Sequence, residues 1–398
     1  VRDLLVHWSG LGAGEGDLLW SPDTTRTRAE IVRRLRYLKP AGGFRQGFAY
    51  DNVLYMAAGQ IIEAVTGQTW EAFTAEHLLT PAGMAHSTSD EPRRLAVADQ
   101  AWPHARAGGA VRGAGPQRVY PEGFKQPLPI LPAGGLAISA NDMARWLAIQ
   151  LAHGALARGG RLFSEAQSKE MWRPVVAQAV GETPPGFEAT RPQFAAYALG
   201  WEVQDYKGVK IVWHPGATAG YRAAVVLVPG RNVGFSIFVN AEEDGVVLGL
   251  THELLDHYLG DPPAHWPERY AALVKERTGQ ALAASKAIEA KRVRVGPSAP
   301  LARYAGDYVD AWYGPISIRL ENGRLVLDFR QTPGMVGELD HFQYDTFRTR
   351  WRDHGLDPAY VTFALGAEGK VDRVTLKPAS PGDFSFDYQD LLFTPVNR

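Results

Sequence analysis

Two hydrophobic rhythms divide this chain. The first is helical. Between Asn52 and Val65, Leu54, Ala57, Ala58, Ile61, Ile62 and Val65 recur on one helix face, and Gly67 follows as a left-handed terminator. Thr27 is placed to cap an earlier segment containing Ile31, Val32 and Leu35. Another segment starts at Thr69, carries Trp70, Phe73, Leu78 and Leu79, and stops before Pro81. Ser139 caps a helix predicted over 140–153, with Met143, Trp146, Leu147 and Leu151 turned inward. The second rhythm has period two. It predicts strands at Leu199–Val203, Val209–Trp213, Tyr221–Val228 and Val233–Val239, turned at Lys207-Gly208 and at Pro229-Gly230-Arg231-Asn232. A helix over Val246–Tyr258 follows. Helices followed by a meander, without alternating strand-helix-strand units, predict an α+β fold with helices packed on an antiparallel sheet.

Beyond this unit the pattern changes twice. Residues 271–295 are helical in composition and carry six basic against two acidic side chains. No aromatic platform accompanies that charge, so a solvated linker helix is favoured over a nucleic-acid site. Gly296-Pro297-Ser298-Ala299-Pro300 marks a boundary. Ile316, Ile318 and Leu320 then alternate up to Asn322-Gly323, and Leu325, Leu327 and Phe329 alternate on the return, a strong hairpin signal. Val361, Phe363 and Leu365 repeat the pattern towards Val371, Val374 and Leu376. The expected organisation is a first domain over 1–270, a basic helical linker over 271–300, and a small all-β barrel or sandwich over 301–398. Residues 102–136, rich in Gly and Pro with Trp102, Tyr120 and Phe124 interspersed, predict a long loop that forms a wall or lid of a substrate site.

Composition removes several classes of function. A net charge of −1 without long like-charge blocks argues against electrostatic capture of nucleic acid. No run approaches the length of a membrane span. The absence of cysteine removes thiol nucleophiles, disulfides and thiolate metal sites. The second histidine of His252-Glu253-Leu254-Leu255-Asp256-His257 falls one residue late for a shared zinc-binding face, so both histidines are expected on the helix surface and no metal is expected. No phosphate-cradling or dinucleotide fingerprint points to a cofactor.

Two motifs carry candidate chemistry. Tyr50-Asp51-Asn52 opens the helix at Asn52, where a phenol and an amide can face one cleft. A phenol beside an ammonium has a lowered pKa and can shuttle a proton. His214-Pro215-Gly216-Ala217 ends one predicted strand and leads into the next. Gly216 permits close approach of a substrate, the Ala217 N–H can face a developing oxyanion, and His214 can bond a substrate or the Tyr50 hydroxyl.

The order of motifs strengthens both. His7-Trp8-Ser9-Gly10-Leu11, Phe48-Ala49-Tyr50-Asp51-Asn52, Pro81-Ala82-Gly83-Met84, Pro132-Ala133-Gly134-Gly135-Leu136 and His214-Pro215-Gly216 follow one another. Over residues 1–260 this succession resembles the β-lactamase-related serine hydrolases, which include class C β-lactamases, penicillin-binding-protein-like esterases and D-amino-acid peptidases. Residues 301–398 resemble the small β domain of unknown function appended to some of them. The resemblance implies a β-lactamase/transpeptidase-like fold and acyl-enzyme cleavage of a small ester, amide or D-amino-acid peptide. It also implies a periplasmic or secreted setting. Tyr50 would assist proton transfer, Asn52 and Gly216 would bind substrate, and Ala217 N–H would form half of an oxyanion hole.

Two departures qualify this. His214 stands where β-lactamases usually carry lysine, which favours an esterase or peptidase over a true β-lactamase. None of the thirteen serines has a lysine three positions on, so the family's Ser-x-x-Lys nucleophile is absent. The expectation is an N-terminally incomplete hydrolase, marginally stable alone, whose nucleophile lies on an N-terminal fragment. The rival is a non-catalytic binding protein of the same fold.

Overall fold

The computed structural model describes residues 1–120, 128–353, 355–379 and 387–396. Phe124 of the expected lid lies outside them. Helix α1 (Asn52–Thr66) ends at Gly67 in the left-handed conformation, as its pattern predicts. Its buried stripe differs from the apolar periodicity. Val53, Leu54, Met56 and Gly59 face inward, while Ile61 and Val65 are exposed. The reason is Gly59. A Cβ there would lie 2.4 Å from Pro132 on the short helix α2 (Leu131–Gly134), so the closest helix contact is made at a residue without a side chain. Upstream, Thr27 and Glu30 form a full capping box on the Arg28–Arg34 helix.

A six-stranded antiparallel sheet follows in sequential order: β1 (Val176–Ala177), β2 (Ala195–Tyr197), β3 (Glu202–Tyr206), β4 (Val209–Thr218), β5 (Tyr221–Val228) and β6 (Val233–Val239). Helix α3 (Ala140–Leu151), capped by Ser139, packs Met143 and Leu147 on Val203, Val212 and Leu227 of one face. Helix α4 (Asp244–Leu259) packs Val247 and Leu255 on Ile211, Val226, Phe235 and Ile237 of the other. The side-chain alternation of β5 serves both layers, with even-numbered residues towards α4 and odd-numbered ones towards α3.

Four sequence expectations are corrected. The strand expected at Leu199–Val203 lies at Glu202–Tyr206, because a tight turn closed by Ala198 N–H to Trp201 O precedes it. The helix expected over 271–295 begins earlier, as α5 (Trp266–Ala290), with Trp266 and Tyr270 buried beside Phe187. His252 is not a surface residue: it stacks on Tyr206 and Tyr270, and burial holds its pKa down to about 4. Residues 102–136 are not one long loop. His104–Arg106 pairs with Gln117–Val119, and α2 lies further on.

The C-terminal strands close into an eight-stranded antiparallel barrel: β7 (Gly306–Asp310), β8 (Gly314–Glu321), β9 (Arg324–Asp328), β10 (Val336–Gln343), β11 (Thr346–Trp351), β12 (Ala359–Leu365), β13 (Val371–Pro378) and β14 (Leu392–Pro395), with β14 paired back to β7. Asn322 and Gly323 both take positive φ in the β8–β9 turn, as the hairpin signal requires. The barrel core continues into the first unit, where Leu18, Leu19, Ile31 and Met56 join Trp312, Tyr313 and Tyr388 in one cluster. Arg34 Nη1 donates to Trp312 O at 2.9 Å, and Arg26 donates to Tyr313 O while stacking on its ring. No helix among the described residues is long and apolar enough to cross a membrane.

Candidate functional site

His214-Pro215-Gly216-Ala217 does not end a strand, as its sequence suggests. It lies inside β4, paired with Val225, Ala224, Ala223 and Arg222 of β5. The difference matters because β3 begins only at Glu202, opposite Trp213. Residues 214–218 therefore overhang, paired on the β5 side alone.

Ladder parity fixes where their amides point. Two-residue turns close β3–β4 at Tyr206↔Val209 and β4–β5 at Thr218↔Tyr221. Hydrogen-bonded and non-hydrogen-bonded pairs alternate from each closing pair. Counted from either turn, the odd-numbered residues of β4 direct their N–H groups to the β3 side. Pro215 sits at such a position, so its missing N–H removes no ladder bond. The Ala217 N–H points the same way, into the space that β3 does not reach, and Pro215, Gly216 and Ala217 are all exposed.

The Tyr50 ring lies beside this overhang, with its centroid 6.1 Å from that of His214 and 4.2 Å from that of His7. Its hydroxyl has no hydrogen-bond partner among the described residues. The expected lowering of the phenol pKa concerns a phenol beside an ammonium, and the groups acting on Tyr50 here include none. Burial raises the Tyr50 pKa to about 12, and the nearby carboxylates Asp17 and Glu202 act in the same direction. Glu202 itself is pushed up to about 7 by burial. In these surroundings Tyr50 is thus a neutral phenol at physiological pH.

His214 is also placed differently from expectation. Its Nδ1 lies 2.6 Å from Pro215 O, a carbonyl that can only accept, so Nδ1 carries the proton. Nε2 then accepts from Tyr197 O–H at 2.9 Å. Both ring nitrogens are engaged, by Tyr197 and Pro215 and not by Tyr50. Burial lowers its pKa, which keeps the ring neutral.

Asn52 turns its Nδ2 to the Asp17 carboxylate, at 3.4 and 3.3 Å, which leaves Oδ1 as the atom it can present. Asp17 is fully buried, also accepts from Trp20 Nε1 at 2.9 Å, and is raised by burial to about 6. Asp51 does not cap α1 with its side chain. Its carboxylate instead accepts Glu15 N–H at 3.2 Å, and burial and Asp17 raise it to about 8. His7 is wholly buried. Its Nδ1 accepts Asp51 N–H at 3.0 Å, so Nε2 carries the proton and has no partner among the described residues. Burial, then His214, hold its pKa down to about 3.

The structure thus brings Tyr50, Asn52 and the His214–Ala217 overhang into one neighbourhood and adds His7, Asp17, Tyr197 and Glu202. His7 was visible within its motif. Tyr197 stands three residues before Gly200-Trp201, and nothing in that spacing announces a contact with His214. A separate cavity of about 440 Å³ lies away from this site, between Gly108–Arg112, Glu242 and the barrel residues Arg348–Trp351.

Comparison with known proteins follows this division. Residues 1–258 match the Beta-lactamase family, and residues 290–395 match the Domain of unknown function DUF3471. Unguisins hydrolase ungD of Aspergillus violaceofuscus (strain CBS 115571) is 27% identical over 345 residues, covering 81% of this chain and 58% of that protein. This chain therefore spans less than two thirds of that relative's length. Penicillin-binding protein 4 of Amycolatopsis lactamdurans is 27% identical over 294 residues, covering 70% of this chain and 68% of its own. The octameric penicillin-binding protein homologue from Pyrococcus abyssi shares the fold, with a TM-score of 0.53 at 18% identity over 98% of this chain and 76% of that one.

Proposed function

The chain belongs to the Beta-lactamase family, and from that membership we propose that it forms the substrate groove of a serine hydrolase that cleaves a small ester or amide through an acyl-enzyme. The observation that carries this reading is the Ala217 amide, directed out of a strand overhang beside the Tyr50 phenol, which has no hydrogen-bond partner among the described residues. An unpaired backbone donor at that place suits the oxygen of a carbonyl under attack. Removing one such donor typically costs about 2.7–4 kcal/mol of transition-state stabilisation.

The roles divide by what each group has free. Ala217 N–H stabilises the oxyanion. Tyr50, a neutral phenol, passes its proton to the leaving group and takes one from the hydroxyl of the attacking serine. Asn52 Oδ1 accepts from a substrate N–H or O–H. His214, locked by Tyr197 and Pro215, is a positioning residue that holds the overhang and carries no charge. A neutral group at that position offers nothing to hold a substrate carboxylate. This favours uncharged esters and amides, including peptides, over β-lactams. The name of the fungal relative makes it a hydrolase too. The attacking serine is proposed to come from a Ser-x-x-Lys outside these 398 residues, because no serine within them has that spacing.

The test is fluorophosphonate labelling of the protein isolated from its own cells, read by denaturing mass spectrometry. A labelled polypeptide containing Ser-x-x-Lys, joined to this chain or bound to it, supports the reading. An unlabelled species of 43.6 kDa contradicts it and favours a groove that binds without turnover.

A further inference from the structure

One barrel side chain grips the turn that carries Asp17. Asp387, at the start of the short turn Tyr388–Asp390, is buried and takes a φ of 51°. Its Oδ2 accepts Gly16 N–H at 2.9 Å and Leu18 N–H at 3.2 Å, across 371 and 369 residues of sequence. The residue between those amides is Asp17, whose carboxylate holds Asn52 and Trp20. Gly16 also has a positive φ of 92° and begins the Asp17–Leu19 helical turn. Leu18 and Leu19 anchor this turn in the core, and Glu15 N–H holds its start on Asp51. The Gly16 and Leu18 amides that flank Asp17 take their acceptor from the other end of the chain.

An acceptor for two amides does not have to be an acid. Here it is one, close to a second buried acid. Burial raises Asp387 to about 8, with Asp17 and Asp390 contributing in the same sense. A left-handed non-glycine residue and two neighbouring carboxyl groups are unfavourable features that persist only where surrounding structure over-determines them. They converge one residue from the group that orients Asn52.

We propose that Asp387 of the barrel is a positioning residue for the groove: by holding the Gly16 and Leu18 amides it fixes the Asp17 carboxylate that orients Asn52. The barrel then acts as a clasp that completes the substrate-binding wall of the first unit. The catalytic meaning of the clasp rests on the hydrolase reading above, whereas the coupling from Asp387 to Asn52 does not.

The test reads that coupling without turnover. The chain has six asparagines, so selective ¹⁵N-asparagine labelling gives a side-chain amide spectrum simple enough to follow Asn52. Its pair is assigned by its loss in Asn52→Ala. Asp387→Gly removes the acceptor and keeps the positive φ, so the turn remains allowed. Asp387→Asn keeps both an acceptor oxygen and tolerance of that φ. The expected result is that the Asn52 pair shifts and broadens in Asp387→Gly, as it does in Asp17→Asn, and returns close to its wild-type position in Asp387→Asn. A wild-type Asn52 signal in Asp387→Gly overturns the proposal, even if the melting temperature falls. Equal shifts in the glycine and asparagine variants overturn it too. If Asp387→Gly does not fold, an Asn52 pair in Asp387→Asn displaced as far as in Asp17→Asn overturns it, and one that stays near wild type supports it. Fluorophosphonate labelling reports separately on the hydrolase reading.

Discussion

The barrel and the six-stranded sheet are both antiparallel, yet they treat their polar backbone in opposite ways. Every barrel strand has two neighbours, β14 returns to β7, and the interior is filled by Tyr313, Phe329, Phe347 and Phe393 in mostly edge-to-face contacts. Closure leaves no free edge. The sheet is open. β4 outruns β3 by the five residues 214–218, which pair on the β5 side alone. The closed element satisfies its strand edges internally. The open one leaves the Ala217 N–H without a partner on the β3 side among the described residues.

The contrast can be broken by mutation. Phe329 is fully buried between Tyr313, Trp351 and Phe393. Phe329→Ala is expected to lose about 3–5 kcal/mol in urea unfolding. Phe238, nearly half exposed on β6, is expected to change stability by less than about 0.5 kcal/mol when replaced by Ala. Comparable losses at the two sites would end the distinction.

Within the groove, bonded and free groups should separate in the same way. Tyr197→Phe leaves His214 Nε2 without its donor and is expected to cost about 1–3 kcal/mol. Tyr50→Phe breaks no bond among the described residues and should stay within about 0.5 kcal/mol in stability. In unlabelled native material it should lower ester turnover by about 10²–10⁴-fold. Thermal unfolding and kinetics on the two variants would sharpen the assignment, and a stability loss in Tyr50→Phe larger than in Tyr197→Phe would reverse it.

The smaller effect is that of pH. Asp51 and Asp387, raised to about 8, and Glu202, raised to about 7, bind protons in the folded state that they release when unfolded. Stability therefore falls as pH rises between their unfolded and folded values. His7 and His252, lowered to about 3 and about 4 from 6.5, act oppositely, adding stability as pH rises to 6.5. Below that the two groups oppose each other. Above it only the acids remain, so the melting temperature should fall from about pH 6.5 to about pH 8.5, and fall less in Asp387→Asn. A melting temperature that rises across that window would show that the acids ionise without penalty.

What the sequence revealed follows the range of the interactions involved. The Asn322-Gly323 hairpin, the Ser139 cap and the Gly67 stop were readable because each rests on a few consecutive residues. The motifs at Tyr50 and His214 were readable as chemistry. Their protonation was not, because it depends on Asp17, Glu202 and Tyr197, which come from other elements. The inward face of α1 was misread because its closest contact is a glycine, which hydrophobic counting ignores. The placement of the HPGA segment inside a strand was hidden because the overhang arises from where β3 starts, a property of the neighbouring strand. The Asp387 clasp joins positions some 370 residues apart.

The most direct measurement is residue-resolved hydrogen exchange of the β4 amides by NMR. The account predicts that the Ala217 amide exchanges freely, while His214, Gly216 and Thr218, which face β5, are protected. An Ala217 amide protected as strongly as those three would mean that the overhang holds no open donor, and would contradict the proposed oxyanion site.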